Sequence, residues 1–143
     1  TRAMRPLVGA PLARDAAALA PRLVENLANL VLFGAQVLRR GEVARASELL
    51  VLAARHLQHL ARLVEGATAH WPTPSRALEH DLSPEAYRRY LTCTARADAP
   101  ALRRAYRAAW EWGVELAEIL AARHALALPT ALMTRITAYL AEV

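Results

Sequence analysis

The feature that most constrains this chain is a series of long runs rich in Ala and Leu, broken once by a polar, proline-marked insert at residues 67–82. Ala and Leu are the strongest helix formers, whereas the β-branched and aromatic residues that favour strands are scarce. The hydrophobic fraction is 55%, above the ~45–50% usual for globular chains. We therefore predict an all-α fold, an up-and-down four-helix-type bundle with the polar insert between the second and third helices and an extra C-terminal helix.

Length and turn-forming residues define the predicted domain. At 143 residues the chain suffices for one domain with a hydrophobic core. Pro6, Gly9 and Pro11 predict an irregular lead-in or linker over residues 1–14. Residues 15–143 are then expected to form a single helical bundle domain.

Start and stop signals place the helices along the chain. Pro21 suits the first turn of a long helix and Gly41 its C-terminal end, and a second helix is expected over about residues 42–66. Its charged and imidazole side chains are expected to share the solvent face: Arg45, Glu48, Arg55, His59 and Arg62. Ser83 before Pro84 opens a short third helix. Similar signals open two more helices, at Asp98 and at Pro129.

The net charge and the number of cysteines indicate which kinds of binding partner and which cellular compartment are expected. The net charge of +5, carried by Arg without any Lys, favours acidic partners such as phosphates. The arginines are dispersed and aromatic residues do not interleave with them, which argues against a nucleic-acid-binding bundle. The single Cys93 fits a protein of the reducing cytoplasm. The apolar run Leu23–Leu38 contains Glu25 and Asn29, which argues against a membrane span.

Sequence motifs of catalysis are missing from the chain. Without Lys there is no phosphate-binding loop, and the five glycines form no Gly-rich dinucleotide turn. No nucleophile elbow, Cys-x-x-Cys pair or His-Glu-x-x-His helix occurs. His56 and His59 stand three residues apart, but no further ligands accompany them. We therefore predict no metal site in this chain.

Three groups of side chains are candidates for ligand contact. On the first helix, Glu25, Asn29 and Arg40 share one side, which is either a solvent face or a pocket wall. In the insert, Trp71 and Arg76 belong either to a solvated loop or to a binding loop beside a rigid scaffold. On the long Trp-containing helix, two aromatic residues indicate either core packing or ligand contact: Tyr106 and Trp110.

Three stretches of the chain carry a resemblance to a known family: Val37–Glu42 (VLRRGE), Pro74–Glu79 (PSRALE) and Leu82–Glu85 (LSPE). In its order of helices, turn and insert, the chain resembles the C-terminal helical domain of lincosamide- and aminoglycoside-type nucleotidyltransferases over roughly residues 20–140. In that family a polymerase-β-like N-terminal domain carries a Gly-Ser motif and metal-binding carboxylates. This chain lacks both signatures, so the resemblance implies a substrate-binding half that completes the active site of a separate catalytic domain or subunit.

The resemblance also implies roles for residues and partners. By its placement near the start of the first long helix, Glu25 is the candidate for the acidic residue that acts as general base. From the three groups of side chains described above, we predict the substrate-binding residues to be Asn29, Arg40, Trp71, Arg76, Tyr106 and Trp110. Mg²⁺ and a nucleoside triphosphate are expected on the partner domain, and the acceptor is expected to be a small molecule with a hydroxyl group. One cavity is expected to collect four of these side chains: Glu25, Asn29, Trp71 and Arg76.

A rival interpretation of the same features is a non-enzymatic helical interaction module. Its surplus apolar surface would be buried against a second copy of the chain, which gives a homodimer. A polymerase-β-like domain encoded upstream in frame, or in the adjacent gene, would favour the nucleotidyltransferase interpretation over this one.

Overall fold

The computed structural model describes the backbone of residues 4–143 and the side chains of residues 15–143. This part of the chain contains six α-helices and no strand, so the predicted all-α fold is confirmed. The helices are α1 (Met4–Arg39), α2 (Val43–Glu65), α3 (Leu78–Asp81), α4 (Pro84–Thr92), α5 (Ala99–His124) and α6 (Thr130–Glu142).

Helix α1 differs from the sequence-based expectation at its start. Its backbone is helical from Met4, whereas the sequence predicts an irregular lead-in over residues 1–14, of which residues 1–3 lie outside the described part. Pro21 therefore lies within the helix rather than in its first turn. Pro removes one helical hydrogen bond, but tertiary packing supplies most of the stability of a helix. The neighbouring Ala20 is fully buried.

A tight turn joins α1 to α2 and makes them antiparallel neighbours. Gly41 has a φ of 85°, a left-handed conformation that costs glycine less than any other residue. Its N–H donates to the Leu38 carbonyl at 2.9 Å, and the N–H of Glu42 donates to the Val37 carbonyl at 3.2 Å. Gly41 thus ends α1, as the sequence predicts.

Hydrogen bonds between α5 and α2 fix the directions of the remaining helices. The Tyr106 hydroxyl donates to the Ala46 carbonyl at 2.6 Å near the start of α2, and Arg123 donates to the Val64 carbonyl at 2.6 Å near its end. Helix α5 therefore runs parallel to α2 and antiparallel to α1. Helix α4 packs against α2 and α5, and α6 packs against α1 and α5. The result is an up-and-down bundle with an insert after α2 and an extra C-terminal helix, as predicted.

The hydrophobic core lies between α1, α2 and α5. Gly113 of α5 permits a close approach, because a β-carbon at this position would meet Leu27 of α1 at 2.5 Å and Leu57 of α2 at 3.3 Å. By length and composition alone, Asp15–Arg39 is apolar enough to cross a membrane, with a mean hydropathy of 1.3. A core helix passes the same test, and α1 buries one side, including Val31, in this core.

Two predicted helix starts are confirmed by their caps. At the start of α4, Ser83 Oγ accepts from the N–H of Ala86 at 3.1 Å, and Ser83 donates from its own N–H and hydroxyl to the Glu65 carboxylate, both at 2.7 Å. At the start of α5, Asp98 accepts the N–H of Ala101 at 2.8 Å. That bond is the main reason why the pKa of Asp98 is lowered. Glu65 also ties the end of α2 to the start of α4.

Candidate functional site

One buried arginine of α2, Arg62, fixes the insert to the bundle, and its exposed fraction is 0%. Its Nε donates to the Pro74 carbonyl at 2.9 Å, and its Nη2 donates to the Arg76 carbonyl at 2.8 Å. Its Nη1 donates to the Ala67 carbonyl and to the Asp81 carboxylate, both at 2.9 Å. These four acceptors make the burial of a guanidinium tolerable. The insert is therefore a compact loop closed over α2, and it ends in the short helix α3.

The carboxylate of Asp81 connects this arginine to the imidazole of the insert. Its Oδ2 lies 2.6 Å from Nδ1 of His70 and 2.9 Å from Nη1 of Arg62. The hydrogen bond from His70, and after it the bond from Arg62, lowers the pKa of Asp81. The predicted position of Arg62 on the solvent face of α2 is wrong, because the insert folds over that turn of the helix.

Trp71 lies against α2 rather than projecting from the insert. Its ring and that of His59 have centroids 4.2 Å apart and planes inclined at 31°. Nε2 of His59 is also 3.0 Å from the carbonyl oxygen of Trp71, so this nitrogen carries the proton that the oxygen accepts. Partial burial lowers the pKa of His59, which keeps its ring neutral at pH 7.

A groove, here called the α5–α6 groove, follows the seam between the last two helices. It consists of two concavities of about 400 and about 520 Å³, which share Val114 and Thr137. Small-molecule sites usually occupy ~300–1,000 Å³. The first concavity is lined by Arg107, Trp110, Glu111, Val114, Glu115, Thr137, Leu140 and Ala141. The second is lined by Val114, Glu118, Leu128, Thr130, Met133, Thr134, Thr137 and Ala138.

Hydrogen bonds hold the floor of the α5–α6 groove in place. Trp110 Nε1 donates to Thr137 Oγ1 at 2.9 Å, and the Thr137 hydroxyl donates to the Met133 carbonyl at 3.0 Å. At one end, Arg107 donates to two carbonyl oxygens at the end of α6, each at 3.1 Å. A cation at this position also interacts favourably with the helix dipole of α6. The indole is therefore held at the floor of the groove, where Trp110 is 4% exposed.

Acidic side chains line the α5 wall of this groove at helical spacing: Glu111, Glu115 and Glu118. Glu115 is paired with Arg89 of α4 at 2.7 Å. Within residues 15–143, neither Glu111 nor Glu118 has an ion-pair partner. An apolar floor with a few polar groups at the rim is the usual character of a site for a small organic molecule.

The predicted site residues of α1 lie on its solvent side. Glu25, Asn29 and Arg40 are all exposed. Arg40 pairs with Glu42 at 3.4 Å, an exposed contact of the kind that contributes only ~0–1 kcal/mol. In this chain the polar stripe of α1 is therefore a solvent face rather than the wall of a pocket.

The two predicted aromatic contacts on α5 have different surroundings. Tyr106 is 1% exposed, its hydroxyl is bound to the carbonyl of Ala46, and its burial raises the pKa of the phenol. It packs beside Gly34, so it has no surface to offer a ligand in this fold. Trp110 is also buried, at 4% exposed, but it lies at the floor of the α5–α6 groove. Of the seven predicted site residues, it is the one that the structure places in a cavity of small-molecule size.

The expected common cavity does not form among the described residues. Neither the α5–α6 groove nor the two smaller concavities beside α4 is lined by any of its four expected members: Glu25, Asn29, Trp71 and Arg76. The side chain of Arg76 is exposed, and only its carbonyl is bound to Arg62. The structure thus distributes these candidates over α1 and the insert.

Residues missed by sequence reasoning have no local signal that identifies them. Arg55 and Arg62 stand seven residues apart on the same side of α2, yet the first is exposed and the second is buried. Only the insert that closes over Arg62 distinguishes them. In the sequence, nothing distinguishes Thr137 from the other polar residues of α6. Its role becomes apparent only from its hydrogen bond with Trp110.

Few side chains in the described part of the chain could bind a metal ion or act as a nucleophile. Within it, no group of three or more His, Cys, Asp or Glu side chains is arranged to hold a metal ion. Cys93 is buried, and its burial raises the pKa of the thiol to about 11. A thiol that remains protonated at neutral pH is a poor nucleophile.

Comparison with models of known protein families identifies one that matches this chain. The model for the lincosamide nucleotidyltransferase-like C-terminal domain matches residues 16–139, which include the insert and nearly all of the α5–α6 groove. The comparison with curated proteins gives no match. Since the matched segment covers far more than half of the chain, the chain belongs to the family of lincosamide nucleotidyltransferase-like C-terminal domains.

Proposed function

We propose that this chain is the substrate-binding half of a cytoplasmic nucleotidyltransferase, working with a polymerase-β-like catalytic domain on the same or a separate polypeptide. The observation that supports this most is the family match over residues 16–139. The proposed reaction is transfer of a nucleotidyl group from a nucleoside triphosphate to a hydroxyl group of a small molecule.

The chemistry of that reaction divides naturally between the two halves. The acceptor oxygen bonds to the α-phosphorus of the triphosphate, the bond to pyrophosphate breaks, and a base takes the hydroxyl proton. Mg²⁺ and the triphosphate belong to the partner domain in this proposal, because residues 15–143 contain no cluster of ligands for the metal. The part left to this chain is to bind the acceptor and orient its hydroxyl group.

The α5–α6 groove is the surface that we assign to the acceptor. Its volume suits a small molecule, and its floor is apolar, with the nearly buried Trp110 indole held in place by Thr137. The exposed carboxylate of Glu111 at the rim can accept hydrogen bonds from acceptor hydroxyl groups. Together these groups bind an amphipathic molecule in one orientation.

Glu25 retains its predicted role as the base only in an assembly where the catalytic domain covers the outer side of α1. In the chain by itself its carboxylate faces solvent. The turnover of a Glu25→Gln variant of the assembled enzyme decides this point, since the substitution keeps the shape of the side chain and removes the base.

Filling the groove tests the assignment of the acceptor site. Ala141 is exposed and lines the first concavity, so Ala141→Trp should occupy that space without disturbing the core. In the chain assembled with its catalytic domain, we expect the acceptor KM to rise about tenfold or more, with the KM for the nucleoside triphosphate little changed. Pyrophosphate release in the presence of Mg²⁺ measures both constants.

A matched variant controls for the added indole. Ala122 is exposed on α5 but lines neither concavity, so Ala122→Trp should leave both KM values unchanged. Equal acceptor KM values for the two variants would place the acceptor elsewhere. A wild-type assembly that transfers no nucleotidyl group to any hydroxylated acceptor would contradict the proposed reaction itself.

A further inference from the structure

A small pocket, here called the Trp112 pocket, opens on the surface between α2, α4 and α5. Its volume is about 190 Å³, and it shares no lining residue with the α5–α6 groove. Its apolar lining consists of Ala61, Val64, Ala86, Trp112, Leu116 and Ile119. Sites for drug-sized ligands usually occupy ~300–1,000 Å³, so this smaller pocket suits a molecule built on a single ring.

Trp112 contributes a hydrogen-bond donor that none of residues 15–143 uses. Its side chain is 4% exposed, yet its indole N–H forms no hydrogen bond with these residues. Among them, no side-chain nitrogen or oxygen atom is both buried and unbonded, so this N–H retains an exposed edge. Trp112 lines this pocket and none of the other three concavities. The donor is therefore open to a molecule in the pocket, unlike the N–H of Trp110, which is bound to Thr137.

Carboxylates determine the charge at the rim of this pocket. Glu65 accepts from the N–H and the hydroxyl of Ser83, both at 2.7 Å, and so occupies the N-terminal end of α4. Glu85 is exposed and forms no ion pair with another of residues 15–143. The guanidinium at the rim, that of Arg89, is paired with Glu115 at 2.7 Å. The rim therefore disfavours an anion and favours a ligand that donates N–H groups.

These features are complementary to a ligand with three parts. The apolar walls suit a ring, and the Glu85 carboxylate suits an N–H donor. The free N–H of Trp112 suits a carbonyl oxygen, since buried tryptophan N–H groups usually find an acceptor. We infer that the Trp112 pocket binds a small, uncharged carboxamide that carries one apolar ring. A carboxylate of the same shape would set its charge against those of Glu65 and Glu85. The pocket is separate from the α5–α6 groove, so the inference is independent of the proposed nucleotidyl transfer.

Benzamide tests this inference on the chain itself, with benzoate as the anion of matching shape. Trp71, Trp110 and Trp112 give three indole cross-peaks in a ¹H–¹⁵N correlation spectrum, and the one lost in Trp112→Phe belongs to Trp112. Benzamide at pH 7 should shift this cross-peak saturably and leave that of Trp71 in place. Benzoate should bind about fivefold more weakly or worse. No saturable shift of the Trp112 cross-peak by benzamide, or equal affinity for benzoate, overturns the inference.

Removal of the indole N–H tests the role of the donor. Trp112→Phe keeps an aromatic ring, so it should weaken benzamide binding about fivefold through loss of one hydrogen bond. The backbone N–H cross-peak of Ala86, in the pocket wall, follows binding in this variant. Trp71→Phe is the matched control, because Trp71 lines none of the four concavities, and it should bind benzamide like the wild type. Wild-type affinity in Trp112→Phe would refute the role of the indole N–H.

Removal of charge from the rim tests the preference against anions. Glu85→Gln should reduce the preference for benzamide over benzoate about twofold or more, whereas Glu79→Gln, an exposed change that lines none of the four concavities, should preserve it. Because Glu85 is exposed, this variant and the wild-type comparison stay decisive even when Trp112→Phe disturbs the core, which far-UV circular dichroism and melting temperature report. An unchanged preference in Glu85→Gln would contradict the assignment of the amide N–H to the rim.

Discussion

Residue-level electrostatics decide the shape of the insert. Arg62 has an exposed fraction of 0%, and the carboxylate it binds belongs to Asp81, at the end of α3. Arg62 is buried whereas Asp81 is partly exposed, so loss of this carboxylate leaves the guanidinium with three carbonyl acceptors and no compensating charge. Arg62 binds the insert at four acceptors, at residues 67, 74, 76 and 81. The shape of the insert is therefore tied to the ionisation of Asp81.

The lowered pKa of Asp81 makes the stability of the chain depend on pH in a defined direction. The folded state holds this carboxylate ionised below its ordinary pKa, so its contribution is complete above about pH 4, the unfolded value. It is lost as the pH falls from there through the lower folded pKa. We expect Asp81→Asn to lower the melting temperature at pH 7, with a difference from wild type that shrinks below about pH 4.

Neighbouring Glu79 provides the control for this measurement. It is exposed, and its contact with His80 is long, at 3.9 Å, so Glu79→Gln should change the melting temperature little at either pH. A difference between Asp81→Asn and wild type that is constant from pH 7 to below pH 4 would show that the ionised carboxylate does not stabilise the insert.

At the level of elements, two glycines set how closely α1 and α5 approach. Gly34 of α1 lies against the phenol ring of Tyr106, and a β-carbon at Gly34 would overlap that ring. The ring cannot move freely, because its hydroxyl is bound to the Ala46 carbonyl. At Gly113 of α5 the nearest atom is instead the end of the Leu27 side chain, which can turn away. Tyr106 thus joins three helices through packing rather than through ligand contact.

This difference predicts unequal effects of adding one methyl group. Gly34→Ala should destabilise the fold by ~1–3 kcal/mol through overpacking, although Ala is the better helix former by about 1 kcal/mol. Gly113→Ala should cost clearly less. Chemical denaturation of the two variants measures both free energies of unfolding. A Gly34→Ala variant at least as stable as Gly113→Ala would mean that the α1–α5 contact is loose.

The whole molecule is a helical bundle with one continuous core formed by α1, α2 and α5. The α5–α6 groove lies on the surface of this bundle. Within the described residues, no group of side chains is arranged to hold a metal ion. The enzyme proposed above divides acceptor binding and catalysis between this chain and its partner domain.

This division predicts the activity of the isolated chain. The purified chain should transfer no nucleotidyl group to any hydroxylated acceptor with Mg²⁺ and a nucleoside triphosphate, and it should give the far-UV circular dichroism of an all-α protein. Addition of the catalytic domain should produce transfer. Metal-dependent transfer by the chain alone, measured as labelled product, would contradict the proposed division of roles.

The sequence by itself determined the helical class, most helix boundaries and the family. These features depend on local chemistry: Ala and Leu favour helix, Gly41 suits a left-handed end, and Ser83 and Asp98 cap the N–H groups that open α4 and α5. The stretches around the Gly41 turn and the insert carried the family resemblance, which the match over residues 16–139 confirms. No contact between distant residues is needed for any of these conclusions.

The tertiary structure alone decided which polar residues are buried and which candidates share a surface. Periodicity places Arg55 and Arg62 on one side of α2, but only the folded insert buries the second. The same pattern gives Tyr106 and Trp110 similar roles; both are buried, but only Trp110 also lines a groove. Burial depends on neighbours that are distant in sequence, and a helical pattern reports only the side on which a residue lies.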